Sequence, residues 1–568
     1  MKLRSFFYGL VAIVVVLLSI SVVGFYWLTA QNPLSLLKGG GQASPAAAIF
    51  VSKQAPAMVS LLVNPDRLAA FRVAIANPGE RRQARAELEQ LKETLLTKRG
   101  IRYEQDIQPW LGDEITLAVT TPDVDRDEEN GNQPGYLLAI ATRNPQRSRE
   151  FLQLFWQKRA VAGVDLMFEQ YSGVKIIYGN PTQLAADASF NLASAVVGDR
   201  FVLFANDPKV LRDAINNVQA PDLSLSRSST YQQGLKQLPD RQIGTVFVSL
   251  PHMGAWLSGS QFNLTDASDE NLPHLYESLV VALELNPKGL VAETALLTAP
   301  GQQLTPTKPV LSEPGQALQF IPATSSLSAS GSNLQQFWQD VSTGLADYGV
   351  LSALIERSLA PVAQPLKAEP TDLFNWVNRE FALGLLPASN KNQSEWVFVA
   401  ERSPNTDSAI ERFNAIAQQQ GLSTGPLTLN DRPIYAWTKL STLANGRKQK
   451  SPTVQAEVQA VHTTVDNYEV FATSVAALDQ ALNAAKNSLL NNAQFGQAIA
   501  TIDPDNDGYL YVDWQHVRHL ASQRLPLLKL TEVVAKPVLD HVRSLTISSY
   551  GSETNVRRGT ALIQLQNP

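Results

Sequence analysis

Short apolar runs alternate with polar clusters along most of this chain, and the period of the apolar positions switches between two and about 3.6, so strands and helices are predicted to interleave. Ala48–Val51 and Met58–Val63 are short, β-branched-rich runs that read as strands, and Asn64-Pro65-Asp66 opens a helical region. Between Glu80 and Lys98, Leu88, Leu91, Leu95 and Leu96 fall on one helix face, and Gly100 ends it. After Trp110-Leu111-Gly112 come two strands, Glu114–Thr120 and Tyr136–Thr142. Asn144-Pro145 and Asp207-Pro208 each start a helix, because proline at the first helical position loses no hydrogen bond. The first helix has Phe151, Leu154 and Phe155 on its apolar face, the second Val210, Leu211, Ala214 and Ile215. Strands at Val174–Tyr178, Ser194–Val197 and Phe201–Phe204 follow, the last two turning on Gly198-Asp199. A strand over Gly244–Leu250 and a hairpin, Leu279–Leu285 with Leu290–Leu297, close the pattern.

The pattern then starts again. Trp110, Glu114 and Leu117 return as Trp376, Glu380 and Leu383, and Phe204, Ala205 and Leu211 as Phe471, Ala472 and Leu478, an offset of about 266 residues. Thr294-Ala295-Leu296 returns as Thr560-Ala561-Leu562. In the second half, strands are predicted at Trp396–Ala400, Ile434–Trp437, Val458–Thr464 and Tyr468–Ala472, with a closing hairpin of Leu545–Ser549 and Arg558–Leu565. A period this long exceeds the 20–50 residues of solenoid repeats, so each copy is expected to hold its own core. The predicted fold class is α+β: two tandem copies of a mixed, mostly antiparallel sheet domain with helices, at residues 46–300 and 315–568, joined by the Pro-rich stretch Pro300–Pro314.

Ahead of the first copy, no charged residue stands between Arg4 and Lys38. Phe6–Leu28 as a helix would span roughly 35 Å, enough for a bilayer core of about 30 Å. Tyr26 and Trp27 suit its far interface, and Lys2 with Arg4 mark the near end as cytoplasmic. Residues 5–30 therefore read as one N-terminal transmembrane helix, an uncleaved signal anchor, and 31–45 as a flexible tether with Gly39-Gly40-Gly41. On this reading the body lies across the membrane.

With 44% apolar and 17% charged residues the chain has a globular balance, and a net charge of −5 disfavours nucleic acid as a partner. There is no cysteine, which removes disulfides, thiolate nucleophiles and Cys-based zinc sites together.

Candidate chemistry is thin, and the repeat tests each instance of it. Asp503-Pro504-Asp505-Asn506-Asp507-Gly508 matches the opening of an EF-hand loop, but Trp514 stands where the bidentate Glu belongs, and the first copy aligns Pro239–Gly244 there. A helix-to-strand turn is the expected role, with a cation on Asp503, Asp505 and Asp507 left open. The acidic loop Asp123–Glu129 has a counterpart, Ala388–Ser394, whose charge is Lys391; Arg447, Lys448 and Lys450 form a basic loop in one copy. His516 and His519, at i and i+3, are the closest pair of histidines, without an HExxH pattern. Glycine fingerprints for nucleotides and the G-x-S-x-G elbow are missing. Both copies share Trp-x-x-x-Glu-x-x-Leu, which predicts a buried Trp with Glu114 or Glu380 capping backbone or pairing with a base; a paired-carboxylate site is the functional alternative.

The basic leader and apolar run, the Gly/Ser/Pro/Ala tether, Ala46-Ala47-Ala48-Ile49-Phe50-Val51, Pro109-Trp110-Leu111-Gly112 and Val197-Gly198-Asp199-Arg200 together resemble the uncharacterised membrane-anchored cyanobacterial family called domain of unknown function 3352. The resemblance implies a periplasmic or thylakoid-lumenal body and brings no catalytic, cofactor-binding or metal residue. The expected function is a membrane-tethered, extracytoplasmic, non-catalytic binding or scaffold protein with no cofactor and a protein partner in the membrane or lumen. A hydrolase-like enzyme with non-local catalytic residues and a lipid or pigment carrier are the alternatives.

Overall fold

A computed structural model describes residues 44–66, 101–127, 132–180, 192–240, 242–259, 274–286, 288–345, 374–387, 395–443, 453–517 and 542–565. Among the described residues every strand pair within each unit is antiparallel. Two compact units are distinguished, one within Met1–Leu304, Ala521–Val542 and Thr554–Pro568, the other within Thr305–Leu520 and Arg543–Glu553.

In the first unit the strands are β1 (Ala57–Leu61), β2 (Leu111–Thr121), β3 (Gly135–Thr142), β4 (Asp165–Tyr171), β5 (Val174–Asn180), β6 (Ala193–Val197), β7 (Phe201–Ala205), β8 (Gly244–Ser249), β9 (Tyr276–Asn286) and β10 (Gly289–Thr298). They lie in the order β4-β5-β6-β7-β3-β2-β1-β8-β9-β10. The second unit has β11 (Leu327–Gly331), β12 (Phe381–Leu386), β13 (Glu395–Glu401), β14 (Leu422–Leu429), β15 (Arg432–Leu443), β16 (Thr453–Val465), β17 (Tyr468–Ala472), β18 (Gly508–Asp513) and β19 (Val542–Ser552). Their order, β14-β15-β16-β17-β13-β12-β11-β18-β19, repeats the first.

The final strand, β20 (Val556–Leu565), departs from the tandem plan. It pairs along β10 in the first unit, from Gly289↔Gln564 to Leu297↔Val556. Thr294 and Thr560 are equivalent in the repeat, and the pairs Glu293↔Thr560 and Thr294↔Gly559 set the two strands about a local twofold. Thr560 Oγ1 donates to Glu293 Oε2 at 2.7 Å and Thr294 Oγ1 to the Gly559 carbonyl at 2.9 Å. Gly289 must lack a side chain, since a Cβ there would meet the Ile563 carbonyl.

The expected fold class is therefore corrected. In place of an α+β pair of tandem domains, the described strands of each unit pair antiparallel, and the last strand of the second copy belongs to the first compact unit. The physical reason is that β10 is self-complementary to its own repeat, so the equivalent strand satisfies its free edge. Among the described residues no helix is long and apolar enough to cross a membrane; residues 5–30 lie outside them.

Within the first unit β2 buries both faces: Ala118 joins Met58, Leu137 and Leu211 on one side, while Ile115, Leu117 and Val119 join Trp110, Phe151 and Leu152 on the other. This is why the strand reads as a near-continuous apolar run. The helix Pro145–Val161, capped by Asn144, buries Phe151, Leu152 and Trp156 and leaves Leu154 exposed, so its buried face is rotated from the expected one. The helix Pro208–Gln219 buries all four expected residues. Ala48–Val51 is a correction: Ala46–Phe50 is a 3₁₀ helix, not a strand.

Candidate functional site

Glu114 and Glu380, the polar residues that both copies share beside their tryptophans, do the same work in each unit. Glu114 on β2 is buried, and its carboxylate accepts the Ala46 and Ala47 amides at 3.0 and 2.8 Å and the Thr116 hydroxyl at 3.2 Å. Glu380, just ahead of β12, accepts the Ala317 amide and the Tyr468 hydroxyl. Each carboxylate thus holds the start of a short 3₁₀ helix, Ala46–Phe50 or Gln316–Phe320, whose first amides have no internal acceptor. Burial pushes both carboxyls above the usual glutamate range, against the pull of those donors. A carboxyl raised on folding stabilises the protein most below its unfolded value, and that contribution is lost as pH rises through the folded value. Glu114→Ala is expected to lower stability by about 2 kcal/mol, since the Ala47 amide loses its acceptor while half-buried Ala46 can reach water. It should also remove part of the stabilisation that wild type gains on acidification from pH 7.5 to 5; denaturant midpoints of both proteins at the two pH values check this.

The other sequence candidates disperse. In the turn ahead of β18, Asp503 accepts the Asp505 amide, and Asp507 accepts the Ser549 hydroxyl and the Gly551 amide. Asn506, fully buried, donates to the carbonyls of Asp503 and Pro504 and to the Tyr509 hydroxyl, while its backbone pairs both ways with Leu311. The EF-hand-like spelling therefore makes a clamp that holds the segment between the repeats. No group of three or more potential metal ligands occurs among the described residues. His516 pairs with Asp513 at 3.1 Å on the surface. His519, Arg447, Lys448, Lys450, Glu128, Glu129 and Ala388–Ser394 lie outside the described residues.

The densest polar constellation was not singled out from the sequence. On the face of β16 and β17 covered by the helix Thr406–Gln419, Glu469 is 1% exposed and His462 4% exposed. Glu469 Oε1 accepts His462 Nδ1 at 2.6 Å, and Oε2 accepts Arg402 at 2.8 Å and Thr464 Oγ1 at 2.7 Å. Arg402 also pairs with Asp407 in the first turn of that helix. His462 stacks on Tyr435, Trp437 and Phe471, with ring centroids 5.1–5.4 Å apart. The carboxylate fixes the imidazole with its Nδ1 proton inward, an arrangement that orients a histidine, while three rings and a helix keep it from bulk water.

The first copy has none of this. The strand alignment puts Val202 at the Glu469 position, opposite Ile140, whereas Glu469 faces the smaller Ala400. Ser194 stands for His462 and accepts Trp156 Nε1 from the helix at 2.8 Å. In the second copy the indole comes from the sheet instead, Trp437 Nε1 donating to Asn414 on the helix at 2.8 Å. Glu469 in a strand that its own copy fills with Val202 was the signal available in the sequence.

Fold and site together define an antiparallel-sheet protein with an internal repeat, a shared structural carboxylate and one polar cluster particular to the second copy. The chain belongs to the family of proteins of unknown function DUF3352, whose profile matches residues 10–565. No curated protein matches it. Among solved structures it is similar to crystal form III of TP0453, at 9% identity over 46% of this chain and 83% of that one, with a TM-score of 0.21, too low to carry an argument.

Proposed function

We propose that this protein is a non-catalytic binding or scaffold protein acting at a membrane outside the cytoplasm, in a periplasm or thylakoid lumen. The observation that carries the reading is that the buried carboxylates singled out above are engaged in structural hydrogen bonds. Glu114 and Glu380 hold helix starts, Asp507 holds the turn by Gly551, and the carboxylate of Glu469 is bonded on both oxygens. Groups engaged in this way fix a shape, and a fixed shape is what a scaffold presents. The membrane location rests on the leading sequence, uncharged from Ser5 to Leu37. Affinity capture of the full chain from solubilised membranes tests the reading: a stoichiometric complex that persists in about 0.5 M salt is expected, and recovery of the chain alone would sink it.

An enzyme of hydrolase type is the second reading, and the His462–Glu469 pair is what favours it. His462→Gln separates the two, because a scaffold keeps its partner in that variant.

A further inference from the structure

Each unit's strand order starts with a tight hairpin whose outer strand has one neighbour among the described residues, β4 on β5 and β14 on β15. Both hairpins turn on two residues with positive φ, Ser172-Gly173 and Asn430-Asp431. In such two-residue hairpins the flanking pair is hydrogen-bonded, so every second residue from the turn faces its partner strand and the others face outward. On β4 the outward residues are Leu166, Phe168 and Gln170; on β14 they are Leu422, Thr424, Pro426 and Thr428.

Phe168 and Pro426 are each the fourth residue before their turn, and they differ in what they do to the edge. Proline has no N–H and interrupts the row of donors on β14, a recognised guard on edge strands. On β4 the row is complete, and its side chains are unusually apolar for solvent: Phe168 is 60% exposed and Met167 41% exposed. Lys175 covers the Phe168 ring from one side, 4.9 Å from its centroid, and Glu169 is turned toward Arg212 on the other face.

We propose that β4 is a self-pairing edge, through which two copies of this chain associate antiparallel about a twofold at Phe168. In that register Phe168 faces its own mate, Leu166 faces Gln170, Met167 faces Glu169, and Asp165 faces Tyr171. The outward groups of one strand then meet the outward groups of the other and form about six backbone hydrogen bonds. No like charges stand opposite, and the two phenylalanines form a cross-strand aromatic pair. Isologous pairing uses up the outer edge of β4, and Pro426 keeps the equivalent strand β14 from adding a third copy, so the assembly closes as a dimer. A charged strand or an unrelated apolar strand would lack this match of register and charge.

Sedimentation velocity of the full chain over a concentration series tests the proposal. Wild type should dimerise reversibly. Phe168→Pro, which gives the first hairpin the residue that the second already carries, should raise the dimer dissociation constant about tenfold or more. Phe168→Lys keeps β4 able to pair with β5 and sets like charges face to face, so it should act in the same direction; unchanged near-ultraviolet circular dichroism shows that each variant is folded. Pro426→Val should let larger assemblies grow. A wild type that stays monomeric, or folded Phe168 variants that dimerise as wild type does, would overturn the pairing, and a Pro426→Val chain no larger than wild type would overturn the guarding role of Pro426.

Discussion

Glu469→Val is expected to lower the stability of the second unit by about 3–5 kcal/mol, the range seen when one member of a buried ion pair is removed. The valine is what the first copy carries at this position, where Val202 is fully buried opposite Ile140, so an equivalent strand accommodates the residue. The loss comes from what remains: His462 Nδ1 and the Arg402 guanidinium would keep their places with no carboxylate between them. Arg402 is 26% exposed along its side chain and can turn to Asp407 and water, but His462 is held between rings. Adding His462→Phe, which keeps a ring beside Tyr435 and Trp437 and removes the stranded N–H, should recover part of the loss. At roughly 2–4 °C per kcal/mol for a unit of this size, the single change should move the second unit's thermal transition down by about 10 °C. A shift below about 2 °C would mean that the cluster is solvated and contributes little.

The strands were legible because their apolar alternation is strong and their turns are spelled in Gly, Asn and Asp; the Gly198-Asp199 turn and the closing hairpin of β9 and β10 lie where the pattern puts them. Ala48–Val51 was not legible. Four apolar residues carry no period, and what makes them helical is Glu114, distant in sequence, whose carboxylate receives the first amides. The cluster around Glu469 was hidden for a related reason. His462 and Glu469 meet through a two-residue turn at Asp466-Asn467, and Tyr435 and Trp437 join them only through the register of β15 on β16, which shifts after Trp437. Pairwise spacing of histidines pointed instead to His516 and His519, because it measures proximity along the chain and not across a ladder. The pairing of β20 with β10 was equally out of reach, since equivalent closing strands in the two copies have the same claim on one edge.

Trp110→Ala and Trp376→Ala are each expected to cost about 3–5 kcal/mol, as for other large buried aromatics, but the milder change to phenylalanine should tell the two copies apart. Both indoles are buried to within 2% of their surface. Trp110 Nε1 donates to the Asp106 carbonyl at 2.7 Å, tying β2 to the turn of helix ahead of it, and its ring packs on Phe151. Trp376 sits against Phe398, Phe413 and Phe471, and its Nε1 has no hydrogen-bond partner among the described residues. Trp110→Phe therefore loses a bond and leaves a carbonyl to find water, at about 1–3 kcal/mol on top of the volume change. Trp376→Phe loses the same volume but removes a buried donor that the native state leaves unmatched, so the two terms oppose each other. Unfolding in urea, followed separately for each unit by hydrogen exchange, should place Trp110→Phe at least about 1 kcal/mol below Trp376→Phe relative to wild type. Equal losses would mean that the Trp376 indole is satisfied in solution and that the two tryptophans hold their units by packing alone.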